Sequence, residues 1–337
     1  MATLPLVEVP LPEPTVLPPI QYAGLFITAA CVDYIVLANE TKLGIGATIF
    51  RYLRPLTYLI IPIAFVSGSI ALDITSMGQF WFIVSVHSQL PLADISLKDC
   101  LWTHFSMLLE DPSAVPKRQF YSDSLAKEIR AGGLKKIANG VAKSLFGMFI
   151  VHPLLIDNPV DILSMPWWHW EAILQTLLCG LRIYCLLGVN DIAFGFGQAV
   201  LGLEFVEAFH WPMFATGRRW NMIVHRLFYR SLYAKKQKTD STGPWASPVV
   251  RCLTIFVISG VFHEVIVMSL ARVMTLENLA FFILHGFGTV IDTKLQTKSP
   301  EGWNRVACVM LYTLFLGLTL RLFLAPYLRL EIPEPIL

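Results

Sequence analysis

Apolar residues recur in long stretches along this chain, and polar residues gather between them. The clearest runs are Tyr22 to Ala38, Leu56 to Leu72, Ile137 to Ile156, Trp168 to Val189, Val249 to Leu270, Glu277 to Ile291 and Arg305 to Leu324. Several of them approach the roughly 20 residues with which an α-helix crosses a bilayer. Two shorter runs, Gly78 to Leu90 and Ile192 to Leu203, have a length at which a tilted or re-entrant segment is as good a reading as a full span. The pattern predicts an all-α fold: a polytopic integral membrane helical bundle with amphipathic surface helices.

Loop charge chooses among the possible topologies, because Lys and Arg concentrate on the cytosolic side of a membrane. The linker Asn39 to Pro55 carries Lys42, Arg51 and Arg54. The stretch Ala93 to Lys136 carries Lys98, Lys117, Arg118, Lys127, Arg130, Lys135 and Lys136, and Glu204 to Pro248 carries Arg218, Arg219, Arg226, Arg230, Lys235, Lys236 and Lys238. Asp157 to Pro166 has no base. Counting Gly78 to Leu90 as a span and Ile192 to Leu203 as none puts every basic loop in the cytosol. The expectation is therefore about eight transmembrane helices with both termini lumenal. Trp167, Trp168 and Trp170 stand at the mouth of one span, where indole rings favour the headgroup level; they read as an interfacial anchor, with substrate contact as the alternative.

Composition sharpens this picture. Of 337 residues, 55% are apolar and 15% charged, against roughly 25% charged in an ordinary soluble domain, and the mean hydropathy is +0.59. Disorder is excluded and a soluble protein disfavoured. A net charge of +2 is too mild for a nucleic-acid partner. Six cysteines, Cys31, Cys100, Cys179, Cys185, Cys252 and Cys308, are scattered through mostly apolar segments without a C-x-x-C pair, which suits small buried hydrophobes better than disulfides or zinc. Residues 1–20 hold six prolines and no Lys or Arg, so they lack the positive start of a secretory signal and read as a proline-rich, non-helical tail. Residues 21–330 then form one integral membrane domain.

Candidate chemistry is confined to a few places. His263 and Glu264 lie together within "TIFVISGVFHEVIVMSL", beside Ser259 and Gly260. Ionisable residues inside a span are costly and normally face a polar cavity or one another; the plainer alternative is a histidine hydrogen-bonded across helices. A zinc-protease helix needs H-E-x-x-H, and Val267 stands where the second histidine would be. The segment Gly217 to Lys238 is amphipathic at the helical period. Trp220, Ile223, Val224, Leu227 and Phe228 fall on one face, with Arg219, Arg226 and Arg230 as a stripe beside it. Such a helix would lie on the membrane surface, either as an anchor or with its guanidinium groups holding a phosphorylated ligand. Asn221 stands off the basic stripe. His285, in "FFILHG", is by itself as well explained by helix packing. Asp157 and Asp161 make a single D-x-x-x-D with no second aspartate-rich motif, and "GIGATI" and "GFGQAV" both break the dinucleotide fingerprint at its last glycine. No metal site is read.

With these residues in view, the chain resembles the wax synthase branch of the membrane-bound O-acyltransferase family. Three blocks carry the resemblance in order: "FATGRRWNMIVHRLFYRSLY", "FVISGVFHEVIV" and "FFILHGFGTVID", within residues 204–292. The family's tract before the arginines is often F-W-G, where this chain has "FATG". The resemblance implies transfer of an acyl group from acyl-coenzyme A to a lipophilic alcohol, with no other cofactor, in a multi-pass protein of the endoplasmic reticulum membrane. By position it makes His263 the general base, Glu264 a group that orients or polarises its ring, and Asn221 the residue that positions the thioester or stabilises its oxyanion. Arg219, Arg226 and Arg230 become candidates for the coenzyme's phosphates, with Trp220, Ser259 and His285 as further substrate contacts. Within that branch the short loops and divergent N-terminal half lean toward acetyl transfer to a terpenoid-like alcohol of secondary metabolism, with long-chain wax ester synthesis as the alternative. A lipid or metabolite transporter and a non-catalytic membrane scaffold are the readings of other classes.

Overall fold

The computed structural model describes residues 5–44, 46, 49–50, 53, 55–69, 72–73, 94–106, 108–110, 123–206, 247–295 and 302–330. Its helices are α1 (Pro19–Leu37), α2 (Glu40–Leu43), α3 (Pro55–Ala64), α4 (Leu97–Ser106), α5 (Asp123–Phe146), α6 (Asp161–Ser164), α7 (Trp170–Leu186), α8 (Gly188–Leu201), α9 (Pro248–Ala271), α10 (Glu277–Leu295) and α11 (Gly302–Leu328). Four two-residue strands, β1 (Val9–Pro10), β2 (Thr15–Val16), β3 (Phe65–Val66) and β4 (Val273–Met274), accompany them, and a π-helical turn (Gly147–Val151) and a 3-10 turn (His152–Leu154) follow α5. The all-α membrane bundle is what the apolar pattern predicts.

Five described helical stretches are long and apolar enough to cross a membrane: Pro19–Leu37, Asp123–Leu154, Trp170–Leu201, Pro248–Ala271 and Val306–Leu328. α10 packs between α9 and α11 but carries Glu277, Asp292 and Lys294. The run at 56–72 does not hold one helix: α3 ends at Ala64 and Phe65–Val66 is extended, pairing in parallel with Thr15–Val16. The segment 192–203 proves to be the continuation of α7 through α8. Together these two run about 48 Å at 1.5 Å per residue, more than one bilayer needs. The short run at 78–90 lies outside the described residues.

The basic stretch at 93–136, where the charge pattern predicts a loop, is helical in α4 and again from Asp123 onward. α5 extends beyond its apolar part because Lys127, Arg130 and Lys135 lie on an exposed face while Gly133 and Gly140 are buried. Those glycines meet α8. A methyl group on Gly133 would lie 2.6 Å from the Gly195 carbonyl oxygen, and one on Gly140 would lie 2.5 Å from that of Gly188. Small residues at this spacing let two backbones touch, the usual means of helix association in a bilayer. The seam also holds an ion pair. Lys143 Nζ donates to Asp191 Oδ2 at 2.6 Å, Asn139 Nδ2 donates to the same oxygen at 3.3 Å, and Lys143 lies 5.1 Å from the Tyr184 ring centroid.

The second half of the bundle is α9, α10 and α11, closed at one end by the N-terminal tail. β1 pairs antiparallel with β4, and Arg272 reaches back to the Pro12 carbonyl and to that of Ile63, the latter at 2.7 Å. Ser269 Oγ donates to the Pro62 carbonyl at 2.6 Å. The same end of α11 holds the loop before α7, since buried Arg321 donates to the Leu163 and Met165 carbonyls. Of the three tryptophans expected at the interface, Trp167 is the most enclosed. Its indole N–H donates to the Leu318 carbonyl at 2.6 Å and Arg321 stacks on its ring, whereas Trp168 and Trp170 are exposed, as an anchor requires.

Candidate active site

His263 lies on α9, eight residues before the helix ends, so about 12 Å from that end. Its Nδ1 is 2.9 Å from the Ser259 carbonyl oxygen, one turn back. A carbonyl oxygen only accepts, so Nδ1 carries the proton and Nε2 keeps its lone pair. The helix backbone thereby fixes the neutral tautomer that a base needs. Ser259 contributes this carbonyl. No described residue is bonded to Nε2.

Aromatic rings hold the imidazole. Its centroid is 4.5 Å from that of Phe282, 5.3 Å from that of Phe323 and 5.3 Å, edge-on, from that of Phe262. The approach of α10 that makes this possible depends on Gly260. A methyl there would come within 3.0 Å of Leu279 Cα and 3.2 Å of Phe282 Cβ. The ring cluster continues through Phe281 to His285, 4.2 Å away, and through Phe323 to Tyr327 at 5.7 Å. A base in such surroundings works away from bulk water.

His285 is held differently. Its Nε2 lies 2.9 Å from Thr319 Oγ1, and that hydroxyl donates to the Phe315 carbonyl at 2.7 Å. With the hydroxyl proton so placed, Nε2–H is the donor and Nδ1 carries the lone pair. The residue ties α10 to α11 while remaining in the same aromatic cluster as His263.

Glu264 does not polarise the imidazole here, contrary to the role its position suggests. Its Oε1 accepts from the backbone N–H of Thr275 at 2.6 Å, from that of Leu276 at 2.6 Å and from the Thr275 hydroxyl at 3.2 Å. Those N–H groups belong to the turn entering α10, where a helix has no internal acceptors for them. Beside this turn Arg329 grips Glu277 through two hydrogen bonds, at 2.5 and 2.9 Å.

Asn221, Arg219, Arg226, Arg230 and Trp220 lie outside the described residues. Among the described residues no group of three or more His, Cys, Asp or Glu side chains converges as a metal site. Several buried charged groups escaped the sequence reading, among them Asp33, Lys143, Asp191 and Arg321. The signal that singled out His263, an ionisable residue inside an apolar run, is present at Asp33, Lys143 and Arg321, whereas Asp191 falls between two such runs.

No family model matches the chain. It is similar to Acyl-CoA--sterol O-acyltransferase 1 of Arabidopsis thaliana, 28% identical over 148 residues, covering 41% of this chain and 43% of that protein. A probable long-chain-alcohol O-fatty-acyltransferase 6 of the same plant is 28% identical over 151 residues, covering 40% and 43% of the two chains. A probable long-chain-alcohol O-fatty-acyltransferase 9, also from Arabidopsis thaliana, is 24% identical over 254 residues, covering 70% and 67%. The chain thus spans less than half the length of the first two relatives it matches.

Proposed function

We propose that this integral membrane homologue of plant sterol and long-chain-alcohol O-acyltransferases transfers an acyl group from acyl-coenzyme A to the hydroxyl of a hydrophobic alcohol. The observation that carries the proposal is the state of His263: a neutral imidazole with Nδ1–H fixed on the Ser259 carbonyl, inside a membrane helix and walled by aromatic rings. In the reaction Nε2 takes the alcohol proton as the alcohol oxygen attacks the thioester carbonyl carbon. The carbon–sulfur bond then breaks, and the imidazolium returns its proton to the departing thiolate. The products are an ester and free coenzyme A. An imidazole suits both transfers because its ordinary pKa is near neutrality, and a ring-walled site suppresses hydrolysis of the thioester by excluding water.

The remaining roles follow from residue chemistry. Asn221 would donate to the thioester carbonyl oxygen as negative charge develops there, and Arg219, Arg226 and Arg230 would hold the coenzyme's phosphates from the membrane surface. The lipophilic alcohol would enter from the bilayer while the coenzyme stays in water. For the acceptor we favour a polycyclic, terpenoid-like alcohol with acetyl as the acyl group. Long-chain ester synthesis is the second reading, favoured by the acceptors in most of the relatives' names. We place the protein in the endoplasmic reticulum membrane, which co-localisation of the tagged chain with a marker of that membrane would test.

The test is to supply membranes containing the protein with acyl-coenzyme A donors from acetyl to palmitoyl and with sterol, terpenoid and fatty alcohols. Products are identified by mass. Ester and free coenzyme A should appear together, and only when a suitable alcohol is present. Movement of an alcohol or acyl lipid across the membrane with no ester from any pair would instead indicate a transporter.

A further inference from the structure

We infer that Glu264 is a positioning residue for His263 that acts through the turn entering α10; this rests on His263 being the base of the proposed acyl transfer. The carboxylate is 4% exposed and stands where the free N–H groups of Thr275 and Leu276 converge. A side chain from one helix thus caps the entry to the next.

The turn it caps is an unusual one. Arg272 and Leu276 have φ of 56° and 59°, left-handed values that residues with a Cβ seldom adopt. Such backbone persists where its surroundings over-determine it. On the inner side that constraint is Glu264. On the outer side it is the N-terminal tail, with Leu11 N–H donating to the Arg272 carbonyl at 2.8 Å and Val7 N–H to that of Thr275 at 3.2 Å.

The position of α10 along α9 depends on this turn, and the imidazole's surroundings depend on that position. Phe282, which packs at 4.5 Å on the His263 ring, belongs to the same helix, less than two turns beyond the cap. The ring itself has its Nδ1 proton on the Ser259 carbonyl. Glu264 Oε2 has no hydrogen-bond partner among the described residues. The carboxylate therefore orients the base by holding the helix that packs against it.

Glutamine separates this role from polarisation of the ring. Its carbonyl oxygen can take the place of Oε1 and accept the same two N–H groups, while its NH2 replaces Oε2, where no described donor stands. Glu264→Gln should keep kcat within about threefold of wild type and leave the pH–rate profile unchanged. Glu264→Ala should lose on the order of 100-fold in kcat, the scale of a small misplacement of a reacting group, with little change in KM for acyl-coenzyme A. Were the carboxylate acting on the ring, Glu264→Gln would fall on the order of 10⁴-fold, as when an orienting carboxylate is made an amide. That loss, a shifted pH profile in Glu264→Gln, or wild-type kcat in Glu264→Ala each overturns the inference. If Glu264→Ala does not accumulate, Glu264→Gln decides alone. Amide exchange at Thr275 and Leu276 gives an independent reading: slow in wild type and Glu264→Gln, fast without the cap. A wild-type protein that forms no ester would defeat the proposed function, yet unprotected amides alone would defeat the cap.

Discussion

Replacing Lys143 by methionine should destabilise the protein severely, and replacing Asp191 with it should repair most of the damage. The two side chains are 0% and 2% exposed and 2.6 Å apart, so each charge is kept from water by the contact of α5 with α8. Removing one partner of a buried pair leaves the other uncompensated, at a cost of about 3–5 kcal/mol. At 1.4 kcal/mol per tenfold, this is a factor on the order of 10²–10⁴ in the folding equilibrium. In Lys143→Met, Asp191 retains among its described contacts the Asn139 amide at 3.3 Å, a long hydrogen bond from a neutral donor. Replacing both residues with apolar ones of similar volume, Lys143→Met with Asp191→Leu, removes both buried charges and is about neutral in comparable cases. Thermal melts of the detergent-purified protein, followed by size-exclusion chromatography at one heating schedule, read the effect. At about 2 °C per kcal/mol for a chain of this size, Lys143→Met should melt about 6–10 °C low, and the double variant within about 3 °C of wild type. Lys143→Met within 1 °C of wild type, or a double variant no more stable than Lys143→Met, would refute the account of this seam.

Three further outcomes follow from the geometry. Gly140→Ala, whose methyl would meet the Gly188 carbonyl oxygen at 2.5 Å, should cost about 1–3 kcal/mol as the helices are forced apart. Gly24→Ala, whose methyl meets no described atom within 4 Å, serves as its control in the same melts. Deleting residues 1–17 removes the β1–β4 pairing and the tail's bonds to Arg272 and Thr275. At about 1 kcal/mol for each hydrogen bond this should lower the melting temperature by several degrees and speed amide exchange at 272–276. Asp94 is held below the ordinary carboxylate range, first by the Thr41 hydroxyl at 2.6 Å and then by the Thr41 N–H at 3.0 Å. Because the folded value is depressed, this tie is complete above the ordinary carboxylate range and is lost as pH falls through the lowered value; Thr41→Val should move the Asp94 titration upward in NMR.

The legible parts of the molecule were those with a local cause. The apolar runs became helices because a bilayer-length stretch satisfies its backbone only by coiling, and His263 stood out because an ionisable side chain in such a run needs a reason. Lys143 gives the same signal in principle, but it follows Lys135 and Lys136 closely enough to merge with a basic stretch, and Asp191 falls in the gap before the run Ile192 to Leu203. What was illegible depends on distant partners. Nothing in "VP" at residues 9–10 marks it for pairing with 273–274, and the turn at 272–276 contains no glycine, the usual sign of a left-handed residue. The redirection of Glu264 toward Thr275 follows from that turn. Trp167 and Trp168 are adjacent and identical in type, and only the arrival of Arg321 and Leu318 from α11 separates a half-buried ring from an exposed one.

The proposed reaction assigns acyl transfer inside the membrane to His263. Membranes holding equal amounts of wild-type and His263→Ala protein should be compared for alcohol-dependent release of coenzyme A, with the ester identified by mass. The account predicts ester from wild type and none above background from His263→Ala; ester formation by His263→Ala at a rate near wild type would contradict it.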